Sequence, residues 1–123
     1  MAKDEIENVI KRFAQITDAI KRGLNRAVFY VGKRREVIEI TDEIKAVCEI
    51  IIAVCEKQSN FYIRHMINSI LAGVSDVRII QDMPCERNAY YDKKQKFSDK
   101  VYACCAAQKL VSYEDILNEE ISL

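Results

Sequence analysis

The side chains best suited to chemistry lie close together between residues 87 and 95. They are Arg87, Asn88, Tyr91, Lys94 and Gln95. Their spacing of three and four residues places most of them on one face of a helix that begins near Glu86. Arginine can pair with guanine through two hydrogen bonds, and asparagine or glutamine can pair with adenine in the same way. This face therefore predicts contacts with base edges in the major groove of DNA.

Three lysines beside this face are expected to contact DNA phosphates. They are Lys93, Lys96 and Lys100. The segment from Glu86 to Lys100 holds five basic and three acidic residues, a local charge of +2. The whole chain has 19 basic and 19 acidic residues, so attraction for phosphate would be local. A helical hairpin with a solvated charged face is the alternative explanation of the same pattern.

The elements that would position these side chains form a predicted helix-turn-helix at about residues 75–100. Ser75 is a good N-cap for a short helix, and Pro84 disfavours helical geometry at Met83. Residues 84–86 form a tight connection, and a longer helix follows from about Glu86 to Gln108. The inner stripe of that helix is expected at Tyr90, Phe97, Val101 and Cys104.

The rest of the chain predicts further helices, and the fold class expected is all-α. Only three glycines and one proline occur, which disfavours folds that need many turns. Apolar side chains at helical spacing predict one helix over residues 3–22 and another of about 20–25 residues ending near Lys57. A third helix is capped by Ser59 or Asn60 and stopped by Gly73. The sequence thus predicts a helical hairpin or bundle over 1–73. A helix-turn-helix half follows over 74–123, closed by a short acidic helix that Ser112 begins.

The second of these helices carries the longest apolar stripe, which could join two copies of the chain. It consists of Val37, Ile40, Ile44, Val47, Ile51 and Val54. The stripe could equally pack inside one chain, against the helix of residues 3–22. A helical protein–protein interaction module without DNA binding is therefore the alternative function.

Residues 24–33 fit either a helical turn or a connection with a bend at Gly32. Six basic residues and no acid lie between Lys21 and Arg35. This run could contact DNA phosphates or an acidic partner, or it could be a solvated hinge.

An enzyme is not expected, and neither a metal nor a cofactor is predicted. His65 is the only histidine, and no phosphate-binding glycine loop or nucleophile elbow occurs. The five cysteines include no Cys-x-x-Cys pair, so they predict packing residues, with a thiol switch at Cys104 and Cys105 as a weaker alternative. No apolar run is long enough for a membrane span and the first residues lack a signal-peptide core, so the expected location is the cytoplasm.

The stretch Ser75–Lys100, followed by residues 106–111, resembles region 4 of sigma factors. It is most similar to the sigma-region-4-like phage activators of late or autolysin genes, of the ArpU and RinA types. In that pattern a short helix ends in an apolar residue, and a turn leads to a recognition helix with an aromatic anchor and a basic outer face. These roles fall to Met83, Pro84-Cys85, Tyr90 and the face from Arg87 to Lys96.

The chain departs from that pattern at Glu86, where a serine cap is usual, and at Pro84, which replaces a turn glycine. Lys93 also occupies a position that is usually apolar. The resemblance implies a sequence-specific transcription regulator of phage or prophage origin. It further implies that the protein acts on promoter DNA beside RNA polymerase.

Overall fold

A computed structural model describes residues 1–83 and 86–111. This part of the chain consists of helices and one antiparallel β-hairpin, and the elements follow in the order α1 (Lys3–Lys11), α2 (Phe13–Lys21), β1 (Arg26–Val31), β2 (Arg34–Glu39), α3 (Asp42–Glu56), α4 (Phe61–Leu71), α5 (Asp76–Asp82) and α6 (Arg87–Ala107). The described part is mostly helical. The prediction of an all-α fold is nevertheless wrong, because residues 26–39 form a β-hairpin.

The hairpin forms in and beyond the segment that the sequence left ambiguous. β1 is rich in β-branched and aromatic side chains, which fit a pleated surface. It pairs with β2 from Arg26 opposite Glu39 to Val31 opposite Arg34. Gly32 opens the two-residue loop with φ +63°, as the first central position of a type II′ hairpin turn requires.

α3 begins later than the apolar stripe predicted. The Thr41 hydroxyl oxygen accepts a hydrogen bond from the Ile44 amide at 3.2 Å. The first turn that follows is acidic, and its negative charges interact favourably with the positive end of the helix dipole. Val37 lies on β2, and Ile40 lies in the connection to α3. The predicted helix is therefore wrong over residues 37–41 and confirmed from Asp42 onward.

The single helix expected over residues 3–22 is interrupted at Arg12. This residue has φ −106° and ψ 18°, so α1 ends before it and α2 begins after it. Its guanidinium carbon lies 4.6 Å from the centroid of the Phe29 ring, within the range of a cation–π contact. The break between the helices therefore lies directly against β1.

α4 and α5 begin as the sequence predicted. The Asn60 side chain accepts a hydrogen bond from the Ile63 amide at 3.1 Å, and the Ser75 hydroxyl oxygen accepts one from the Arg78 backbone amide at 3.4 Å. Gly73, between the two helices, has φ +83°, which glycine adopts at little cost.

One continuous core joins the N-terminal and C-terminal halves predicted from the sequence. α6 packs against α1, α3 and α4, and fully buried side chains come from all four helices, among them Ile6, Ile51, Met66 and Val101. On α6 the inner stripe ends at Cys105, which is fully buried, whereas Cys104 is only half-buried; the sequence had placed Cys104 there. No helix within residues 1–83 and 86–111 is long and apolar enough to cross a membrane.

Candidate nucleic-acid interface

α5 and α6 are separate helices, as predicted. Met83 leaves the helical conformation with φ −100° and ψ 138°, and Glu86 is extended, with φ −73° and ψ 157°, directly before α6. Pro84 and Cys85, the centre of the predicted turn, lie outside the described residues. Ile79 and Met83 are buried, so α5 packs through the two side chains that its spacing predicted.

A cluster of three polar side chains, Asp76, Tyr90 and Lys94, joins the start of α5 to α6. The Tyr90 hydroxyl donates a hydrogen bond to Asp76 Oδ1 at 2.5 Å, and Lys94 Nζ donates to the same oxygen at 2.9 Å. Tyr90 and Lys94 lie four residues apart and therefore share one face of α6. Since two donors on one helix meet one acceptor on the other, the cluster fixes how α5 and α6 sit together.

The environment of the cluster sets its protonation states. Burial alone raises the pKa of Asp76, but the hydrogen bonds from Tyr90 and Lys94 and the positive charge of Lys94 outweigh burial and lower it. Burial and the adjacent carboxylate raise the pKa of Tyr90 far above its ordinary value. The cluster therefore holds an ionised carboxylate beside a neutral phenol near neutral pH.

The first turn of α6 presents exposed polar side chains. Arg87 and Asn88 are both exposed, and neither forms a hydrogen bond or ion pair with another of the described residues. The guanidinium carbon of Arg87 lies 5.7 Å from the centroid of the Tyr91 ring. Tyr91 is 38% exposed and meets Tyr90 edge-on, with the ring centroids 5.1 Å apart. These three predicted base contacts are accessible to a ligand.

The other two predicted base contacts are engaged inside the protein. Lys94 forms the ion pair with Asp76 described above. Gln95 Nε2 donates a hydrogen bond to Asp99 Oδ1 at 2.9 Å, one turn further along α6. A nucleic acid would have to compete with these partners, and most strongly at Lys94, because its pair is only about one-third exposed.

The predicted phosphate contacts differ among themselves. Lys96 Nζ lies 3.1 Å from Asp92 Oδ2, but both side chains are largely exposed, so the pair contributes little and can exchange for a phosphate. Lys100 is exposed as well, whereas Lys93 is half-buried.

A groove of about 650 Å³ runs beside α6. Tyr91, Lys94 and Gln95 line one side, and Lys11 and Arg12 of the α1–α2 region line the other. The predicted recognition face thus borders a groove against the N-terminal helices. Local sequence patterns cannot predict this groove, because its two sides are about 80 residues apart along the chain.

Sequence reasoning also missed Asp76. Its contact with Tyr90 spans 14 residues and depends on how the two helices cross, which local spacing does not encode. An acidic residue directly after the Ser75 cap is common in any first turn. The only available signal was therefore ambiguous.

The stripe predicted to join two chains does not form a continuous surface. Val47, Ile51 and Val54 are buried in the core of the chain itself, Ile40 and Ile44 are half-buried, and Val37 lies on the hairpin. The alternative in which the stripe packs inside one chain describes the buried part of α3.

The cysteines of the described part are free thiols, and three of them are buried. Burial raises the pKa of Cys48 and of Cys105 to about 11, which leaves almost no thiolate at neutral pH. Within residues 1–83 and 86–111, no group of three or more metal-binding side chains converges.

No protein-family model, curated protein or solved structure matches this chain.

Proposed function

We propose that this protein binds duplex DNA sequence-specifically and regulates transcription, with the start of α6 inserted in the major groove. The observation that carries the proposal is the exposed first turn of α6, which is held at a fixed position against α5. In a helix-turn-helix the N-terminal turns of the second helix meet the bases. Arg87 and Asn88 occupy that turn, and both side chains are exposed.

Within this proposal the side chains divide by their contacts. Arg87, Asn88 and Tyr91 contact base edges, because they are accessible. Lys94 holds α5 against α6 through Asp76, and Gln95 reaches a base only after releasing Asp99.

The lysines on the outer side of α6 contact the DNA phosphates in this proposal. Lys96 and Lys100 are exposed enough to meet the DNA backbone, and Lys93 follows at the edge of the contact. Such contacts add affinity and set the register of the protein on the duplex, but they carry no sequence information.

The resemblance of residues 75–100 and 106–111 to sigma region 4 extends the proposal. The protein would act at promoters beside RNA polymerase, in the manner of phage activators, and in the cytoplasm.

The test begins with selection of bound duplexes from a randomised pool by the full-length protein. Affinity is then measured by fluorescence anisotropy on a selected and a scrambled duplex, at about 50 and 200 mM salt. Arg87→Ala should weaken binding to the selected duplex by roughly 1–3 kcal/mol, about 5- to 150-fold, and leave the scrambled duplex nearly unaffected. Lys96→Ala should weaken both duplexes alike.

Lys57→Ala is the matched control, since Lys57 is an exposed lysine at the end of α3, outside the surface of α6 that the proposal assigns to DNA. It should change neither affinity. Failure of the selection to enrich any duplex, or equal binding by wild type and Arg87→Ala, would refute the proposal.

A further inference from the structure

The β-hairpin of residues 26–39 is an arm attached to the rest of the molecule along one side only. β1 packs against α2, and Ala27 is the one hairpin residue in the described core. Phe29, on the same side as Ala27, contacts Arg12. The two turn residues, Gly32 and Lys33, are exposed.

The pairing register defines the outer face of the arm. Side chains alternate between the faces of a strand, so the residues on the face opposite Ala27 and Phe29 are Arg26, Val28, Tyr30, Arg35, Val37 and Glu39. All six are exposed.

The tip of the arm is strongly basic. Lys33, Arg34 and Arg35 follow the turn glycine directly, and all three are exposed. Arg34 is paired with Glu36 through Nε and Oε1, 2.6 Å apart. Lys33 and Arg35 form no ion pair with any residue within the described ranges, so their charges are available to an anionic partner.

The arm is continuous with the surface beside α6. Arg12 contacts Phe29 of the arm and also lines the groove whose opposite side includes Tyr91 and Lys94. An extended anionic ligand lying in this groove beside Tyr91 and Lys94 therefore also reaches Arg12, which contacts the arm. A duplex has this shape, and its phosphates run along its whole length.

We propose that the hairpin is a second DNA contact, in which Lys33 and Arg35 bind phosphates flanking the site that α6 reads. This inference rests on the proposed function. Duplex DNA is favoured over an acidic protein because its phosphates form a continuous row of negative charge, which can extend from the groove beside α6 to the basic tip of the arm. The arm carries no base contact in this proposal, so it adds affinity without sequence preference.

The test compares full-length wild type with the double variant Lys33→Ser, Arg35→Thr on the selected and the scrambled duplex. Each phosphate contact contributes about 0.9 to the slope of log affinity against log salt. Losing two contacts should make that slope less steep by about 1.8. It should also weaken binding about 60-fold near 0.1 M salt, by the same factor on both duplexes. Hydroxyl-radical footprinting should lose protection on one flank and keep it at the centre.

The matched control removes the same charge elsewhere, through Lys57→Ser with Lys109→Asn, and should leave both slope and footprint unchanged. Circular dichroism checks the fold. If the double variant does not fold, Lys33→Ser alone, in the turn, should still lower the slope by about 0.9.

The two possible failures are distinguishable. If wild type binds the selected duplex and Arg87→Ala weakens it, but the arm variant keeps the wild-type slope and footprint, the inference about the arm is overturned while the proposed function stands. An arm that binds an acidic protein instead of DNA would give this same result, because its substitutions would leave the DNA affinity unchanged. If wild type binds no duplex at all, both proposals fail together.

Discussion

Replacing Tyr90 by phenylalanine removes one hydroxyl group from the cluster that joins α5 to α6. Tyr90 is fully buried, and phenylalanine keeps its ring, so no cavity forms. What is lost is a hydrogen bond to an ionised carboxylate, which typically contributes about 1.5–3 kcal/mol. Asp76 is about one-third exposed and keeps its bond to Lys94, so water and lysine offset part of this loss. We expect the free energy of unfolding to fall by about 1–2 kcal/mol near neutral pH.

The pH dependence separates this cause from a general loss of packing. The folded state lowers the pKa of Asp76, so the stabilisation is present above the unfolded pKa of about 3.9. It is lost as pH falls through the lower folded pKa. Because Tyr90 supplies part of that lowering, the difference between wild type and Tyr90→Phe should shrink as the pH is lowered from about 6 towards 3.

The assay is urea unfolding followed by circular dichroism across that pH range. Tyr91→Phe is the control, since it makes the same chemical change on a more exposed neighbour, and should cost less than about 0.5 kcal/mol. A difference for Tyr90→Phe that stays constant with pH would refute the role of the Asp76 bond. So would the absence of any difference near neutral pH.

Two further predictions concern the turn and the thiols. Gly32→Ala should lower stability by about 1–2 kcal/mol in thermal unfolding, because an alanine there must hold a positive φ. Asparagine adopts a positive φ more readily than alanine, and the space around Gly32 is open, so Gly32→Asn should cost less. Equal costs for the two variants would show that the backbone conformation is not the cause. Cys105 should resist alkylation by iodoacetamide at about pH 8 in the folded protein, since burial raises its pKa to about 11, whereas the half-buried Cys104 should react. Mass spectrometry of the modified peptides checks this, and equal modification would contradict the buried position.

The helix boundaries that the sequence predicted well are those set by local chemistry. Asn60 and Ser75 cap helices through their own side chains, and Gly73 adopts a positive φ between them. Each effect depends on a few adjacent residues, so it is visible without the fold. The break between α5 and α6 follows for the same reason, from the restriction that a proline imposes on the residue before it.

The hairpin was missed because two patterns overlapped. Val37 lies at helical spacing from Ile40 and Ile44 by coincidence. The predicted helix therefore included part of β2. The competing signals were the run of β-branched and aromatic residues from Val28 to Val31 and the Thr41 cap, which shows where α3 begins. If the Thr41 cap had been given more weight than the apolar periodicity, the helix would have been predicted to begin at Asp42, and residues 34–39 could have been predicted as a strand.

The site was predictable only in part, for a different reason. The exposure of Arg87 and Asn88 follows from their place at the start of an amphipathic helix. The engagement of Lys94 with Asp76 and the groove beside Arg12 depend on how distant segments pack. Such contacts leave no trace in local spacing.

Within residues 1–83 and 86–111 the hairpin is a sheet of two strands, so in this part of the chain the outer edge of each strand has backbone N–H and C=O groups without a strand partner. Open edges of this kind are templates on which another chain can add a strand. The like charges of Lys33 and Arg35 oppose the approach of a second copy to these edges. Because salt screens such repulsion, concentrated solutions of the protein should self-associate more readily as ionic strength rises.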